Sequence, residues 1–155
     1  MPLRLSDALH IECHDWLHAR PWAEPIRRAV FVHEQGVPVH LEMDSADPHC
    51  THAVAFDRDG QAIGTARLLP DGRIGRMAVL KIWRGQGVGG ALLQALLDQA
   101  VRSGLTRVYL HAQQQACEFY ARHGFQFQGE EYLEAGIPHH TMVLELSDAP
   151  AGDAG

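Results

Sequence analysis

Apolar residues Val88, Leu92, Leu93, Leu96, Leu97, Ala100 and Val101 recur at intervals of three and four. That spacing lays them along one stripe of a helix. The segment Val88–Arg102 is therefore expected to be helical, with Gly104 as its C-cap. Elsewhere the pattern changes to that of strands. Residues 74–80 and 141–146 are apolar runs, 106–111 is rich in β-formers, and 125–128 alternates. Upstream, 53–56 and 62–69 read as strands joined by Asp57-Arg58-Asp59-Gly60, a hairpin signal, and Pro70-Asp71-Gly72 forms a second turn. Ile11 and Cys13 permit a first strand, and 24–35 suits a helix starting near Pro25. Residues 36–50, with two prolines, read as a loop or broken helix, and a short helix ending at His123 is stopped by Gly124. The order is meander, helix, strand, helix, two strands, which is an α/β fold with a mixed sheet.

Bulk properties narrow the setting. A chain of 155 residues suits one domain, here 1–146, and the small, polar run 147–155 reads as a disordered tail. No apolar run approaches a membrane span, and the N-terminus lacks the regions of a signal peptide. A net charge of −6 argues against nucleic acid as a bulk partner. Cys13, Cys50 and Cys117 are too few and too dispersed for a disulfide framework, so the expected compartment is the cytoplasm.

The candidate chemistry starts at Arg84-Gly85-Gln86-Gly87-Val88-Gly89-Gly90, between the 74–80 strand and the long helix. Glycines there allow a tight turn and a close approach to a ligand. The helix behind them supplies unpaired N–H groups and its positive dipole end, a site for phosphate. Gly85, Gly87 and Gly90 satisfy G-x-G-x-x-G, but the following strand ends at His111-Ala112-Gln113 without the carboxylate a dinucleotide fold needs. Ala91-Leu92 stand where a nucleotide-triphosphate loop needs Lys and Ser or Thr. Around the loop, Arg67, Arg73, Arg76, Lys81 and Arg84 face only one acid, Asp71, an excess expected to draw a polyanion.

Two motifs carry a family resemblance. Arg84-x-x-Gly87-x-Gly89, after Arg76-Met77-Ala78-Val79, resembles the acetyl-coenzyme A loop of the GNAT N-acetyltransferases. Downstream, Ala116-Cys117-Glu118-Phe119-Tyr120-Ala121-Arg122-His123-Gly124-Phe125 is similar to that family's A-x-x-F-Y-x-x-x-G-F element. The pieces at 30–38 and 136–139 resemble the ElaA-like bacterial branch. The resemblance implies a mostly antiparallel sheet with splayed central strands flanked by helices. It implies acetyl-coenzyme A as cosubstrate, its arm on the backbone of Met77, Ala78 and Val79. Its diphosphate would lie on Arg84, Gly85, Gln86, Gly87, Val88, Gly89 and Gly90. Gln113 and Tyr120 would also touch it, Gln113 replacing the family's common asparagine.

Transfer of acetyl to an amine needs a proton given to the leaving thiolate and one taken from the amine. Tyr120 is the expected acid, since a phenol of pKa about 10 is protonated at neutral pH and matched to a thiol of about 8.5. Candidate bases are Glu134 and His111, with His139 and a water chain as alternatives. The acceptor, a small-molecule or peptide amine, would bind between residues 24–50 and 132–140, where Glu34, Glu42, Asp44 and Glu134 would attract its positive charge. No nucleic acid, membrane or metal partner is expected, and a homodimer is left open. The alternative function is a non-catalytic coenzyme A-binding module or sensor. Gln115-Ala116-Cys117 begins like a caspase nucleophile motif, which Glu118-Phe119 then breaks. His10, His14 and His18 recur every four positions and align on one face, yet no cysteine pair or residue to orient the imidazoles supports a metal there.

Overall fold

The structure, a computed structural model, describes residues 9–39 and 44–146. Glu42 and the tail 147–155 lie outside the described residues. The chain runs β1 (His10–His14), α1 (Trp16–Arg27), a π-helix (Arg28–Glu34), β2 (Thr51–Phe56), β3 (Ala62–Leu68) and β4 (Ile74–Val79). It continues through α2 (Val88–Arg102), β5 (Arg107–Gln113), α3 (Cys117–Arg122), β6 (Gln126–Glu134) and β7 (Ile137–Glu145). Strands β1 to β4 form one antiparallel sheet in sequence order, and β5-β7-β6 form a second antiparallel sheet.

Strand β2 reads as a continuous apolar run because both of its faces are covered. Ala53 and Ala55 pack towards α2, while Val54 and Phe56 pack against Ala19 and Trp22 of α1. Val88, Leu92, Leu93, Leu96, Leu97 and Ala100 of α2 are buried as the spacing requires. Each fully buried leucine contributes about 1.5–3 kcal/mol. Val101, expected in the stripe, is 44% exposed at its edge. Helix α2 lies close on the sheet because Gly64 makes room: a Cβ there would sit 3.0 Å from Val88 Cγ1. The helix ends as expected, with Gly104 N–H bonded to Val101 O and Leu105 N–H to Ala100 O, a Schellman arrangement.

The first helix departs from expectation. It starts at Trp16, not near Pro25, because Asp15 caps it by accepting from the His18 N–H at 3.1 Å. Ala19, Ala23 and Ile26 then form its buried face, and Pro21 and Pro25 sit inside it. Each proline removes a backbone donor, and the turn beyond Pro25 widens into the seven-residue π-helix.

Strands β4 and β5 meet once and then part. Tyr109 N–H bonds Gly72 O at 3.0 Å, and Arg73 and Tyr109 form an isolated parallel bridge. That bridge is the parallel element in an otherwise antiparallel arrangement. Past it, β4 carries a bulge: Thr65 faces Ala78 but Arg67 faces Gly75, so β4 has one residue more than β3. Arg76 takes up the irregularity with φ of 49°. Bulges re-aim side chains beside active sites, and this one adjoins the gap.

Candidate active site

The gap between the sheets holds two connected spaces. A cleft of about 680 Å³ is bounded by Met77, Ala78 and Val79, the glycine loop, and α3. A chamber of about 420 Å³ lies towards β5 and the β6–β7 hairpin. Gln35, Met77, Ala116 and Tyr120 line both, and so mark their junction.

The glycine loop is built as a cradle. Gly85 and Gly87 take φ of 76° and 89°, and Gly87 is the N-cap of α2 with no side chain capping it. The first N–H groups of a helix have no partner within it, and here Val88, Gly89 and Gly90 line the cleft. A Cβ on Gly89 would come within 3.5 Å of Phe119 Cζ and 3.7 Å of Met77 Sδ, so glycine keeps this wall open. These features fit a diphosphate-bearing thioester: donors at one end, and an apolar slot of Met77, Ala78 and Phe119 along it. Gln86 does not line the cleft, because its side-chain amide turns back to Ile82 O at 3.1 Å.

Arg84 lines the cleft but is not a free cation. Its Nε donates to Val79 O at 2.9 Å, and its terminal nitrogens grip Glu34, one at 2.8 Å. Glu34 is therefore not a lure for a cationic amine, and its carboxyl is held below the usual range by Arg84. Asp44 is corrected in the same way. Arg67 reaches it at 2.8 Å and Arg76 at 3.2 Å, and with Arg67 first among the causes its pKa falls to about 2. Asp47, buried with Arg27 and Arg67 on its carboxylate, completes the cluster. Of the five cations expected to face a polyanion, Arg67, Arg76 and Arg84 are thus spoken for.

Helix α3 supplies the junction. Ala116, Phe119, Tyr120 and His123, spaced at helical intervals, all line the cleft, and Arg122 joins them. Burial pushes the Tyr120 phenol up to about 12, with Cys117 as a smaller cause. The expected match to a thiol of about 8.5 is therefore loosened. Tyr120 remains a donor throughout the physiological range, better suited to hydrogen-bonding a developing thiolate than to giving its proton up. His123 Nδ1 bonds Phe119 O at 3.0 Å, leaving Nε2 facing α2: a Cβ on Gly90 would lie 3.3 Å from it.

In the chamber, the structure brings His111, Gln113, Glu134 and His139 together. His111 Nδ1 is within reach of the Thr141 hydroxyl at 3.1 Å and the Tyr132 hydroxyl at 3.0 Å. Burial first, and then Arg73, lower its pKa, so the ring is neutral at pH 7; Glu134 opposes the shift. Tyr132 also stacks on His139 at 5.8 Å, whose Nδ1 is tied to Ile137 O. The aligned histidines behave otherwise: His10 and His14 both bond Glu12, and His18 bonds Asp15. Cys117 is buried in the core, its thiol raised by burial. Arg73, expected to face the polyanion, lines the chamber instead, and residue reading did not single out Gln115, Arg122 or His123 as lining residues. For the two on α3 the helical spacing from Tyr120 was an available signal.

Two antiparallel half-sheets splayed over a glycine-led helix start define a transferase that takes its acyl group from an acyl-coenzyme A. Residues 23–146 match the Acetyltransferase (GNAT) domain. The chain belongs to the GNAT acetyltransferase family and is an acyltransferase. It is 39% identical over 124 residues to the uncharacterized N-acetyltransferase YjcF of Bacillus subtilis, covering 77% of this chain and 88% of that protein. Escherichia coli ElaA superposes with a TM-score of 0.78 at 28% identity, covering 88% of this chain and 99% of the other. A GNAT acetyltransferase from Elizabethkingia anophelis, with acetyl-CoA bound, shares the fold at 18% identity and a TM-score of 0.66, covering 90% and 99%. No helix among the described residues is long and apolar enough to cross a membrane.

Proposed function

We propose that the protein is a cytoplasmic N-acetyltransferase moving an acetyl group from acetyl-coenzyme A directly to a primary amine of a small molecule or peptide. The observation that carries this reading is Tyr120, placed where the cleft and the chamber join. Acetyl-coenzyme A supplies the thioester, and its sulfur departs as a thiolate that then takes its proton from water. The N–H groups at the start of α2 hold the diphosphate. Backbone groups of Met77 and Ala78 orient the arm, while Val79 O is already engaged by Arg84. Tyr120 donates from its hydroxyl to the sulfur as negative charge develops there. Neutral His111 accepts the amine proton, and Glu134 stabilises the imidazolium that results. The Elizabethkingia neighbour supports the choice of acyl donor.

A panel of polyamines, amino acids, amino sugars and peptides, mixed with acetyl-coenzyme A and followed by thiol release, tests the reading. Turnover of at least one amine is expected. Tight acetyl-coenzyme A binding with no thiol from any amine would instead leave a non-catalytic binding module.

A further inference from the structure

The chamber is not lined by carboxylates alone, as a pocket built for a simple cation would be. Glu34 and Asp44 are neutralised by arginines, and Glu134 is the carboxylate lining the chamber among the described residues. Arg73 and Arg76 of the β4 segment line the same walls. Arg76 is balanced by Asp44. Arg73 is held differently: its guanidinium makes no hydrogen bond or ion pair among the described residues and meets the Asp71 charge only through space. Asp71 accepts from the Arg73 backbone N–H with one oxygen and from the Tyr109 hydroxyl with the other. Those two bonds pin the base of the Arg73 side chain and occupy the neighbouring carboxylate.

Arg73 is exposed, as a solvated surface arginine would be, but it also lines the acceptor space. A free guanidinium there offers a flat fork of N–H donors that matches a carboxylate. One guanidinium with open donors suits a singly charged carboxylate, and Glu134 on the same lining disfavours a doubly charged phosphate. Arg73 lies four residues before Met77, at the cleft–chamber junction, which is roughly 13 Å along an ideal strand. The anion and the reacting nitrogen are therefore separated by several bonds.

We propose that the acceptor is an amine that also carries a carboxylate, and that Arg73 holds this carboxylate while the nitrogen lies near Tyr120. This rests on the acetyltransferase reading above.

The test uses glycine, diglycine and triglycine, each as the free acid and as the C-terminal amide. Thiol release gives kcat/KM, and calorimetry in the presence of coenzyme A gives acceptor affinity. At one length or more the wild type should favour the acid by at least about tenfold, as expected of a charge-assisted fork. Arg73→Gln should bring that ratio to about one in both measurements, Arg73→Lys should restore part of it, and acetyl-coenzyme A affinity should stay unchanged. Amides matching acids at every length would overturn the proposal, as would a preference surviving Arg73→Gln. So would turnover confined to amines without a carboxylate. Failure of the acetyltransferase reading looks different: no amine of any class releases thiol, or acetyl-coenzyme A does not bind.

Discussion

Gly72 sits where the two half-sheets are joined, and its replacement separates backbone strain from close approach. Its φ is 100°, and a Cβ would lie 2.7 Å from the carbonyl oxygen of Arg107. Gly60, in the β2–β3 turn, has a φ of 85° and nothing within 4 Å. Gly60→Ala should therefore cost only left-handed strain, about 1–2 kcal/mol. Gly72→Ala carries the same strain plus overlap with a backbone atom that cannot rotate away, and forced overpacking adds about 1–3 kcal/mol. The expected losses are roughly 1–2 and 2–5 kcal/mol, both within reach of a domain that remains folded. Relief of the clash moves β5 away from β4, because Gly72 O also anchors Tyr109 N–H. The base of the cleft then opens. Urea unfolding of the two variants gives the stabilities, provided the slopes agree, and calorimetry well below the transition gives acetyl-coenzyme A affinity. Gly72→Ala should be the less stable and the weaker binder, with Gly60→Ala binding normally. Equal destabilisation of the two, or undiminished affinity in Gly72→Ala, would refute the reasoning.

Other expectations follow from single contacts. Tyr120→Phe keeps the ring but loses the donor, so kcat should fall at least about tenfold with acetyl-coenzyme A affinity nearly unchanged; retained kcat would return Tyr120 to the core. Since burial puts its phenol near 12, Tyr120 should contribute no alkaline limb to the rate below about pH 11. Arg84→Ala and Glu34→Ala should each weaken acetyl-coenzyme A binding, and the double variant should be no worse than either, since both act through one pair. Asp47→Asn removes the buried carboxylate charge beside Arg27 and Arg67 and should cost about 3–5 kcal/mol in urea unfolding. His111 has its pKa lowered in the folded protein, so its base function is present at pH 7 and lost only as pH falls below 6.5. The acid limb of kcat/KM should lie below that value and change in His111→Gln.

Local chemistry was legible in the residues. The α2 stripe, the turn at Gly72, the glycine cradle and the face of α3 around Tyr120 each depend on neighbours within about a turn of chain. The start of the first helix was not, because Pro25, one of two prolines inside it, resembled a start signal. What overrode them was the Asp15 cap and the burial of Ala19, Ala23 and Ile26, which is tertiary. Long strands β6 and β7 were also shortened in the sequence view. Burial falls away along their hairpin, so alternation carries little signal over Glu130, Glu131 and Leu133.

Charge was the least legible property, and the reason is physical. A carboxylate or guanidinium has no periodicity, and its partner can lie anywhere in the chain. Arg84 meets Glu34 across 50 residues and Arg67 meets Asp44 across 23. Counting charges in a window assigned five cations to the cofactor and four carboxylates to the acceptor; long-range pairing removes Arg67, Arg76 and Arg84 from the first set and Glu34 and Asp44 from the second. What remains is sorted differently: backbone N–H groups at the α2 start for the diphosphate, and Arg73 opposite Glu134 around the acceptor. On the proposed reading, cofactor binding rests on backbone geometry, which leaves a glycine signature, while acceptor choice rests on a few side chains, which leave none. The family is readable from the first and the substrate only from the second.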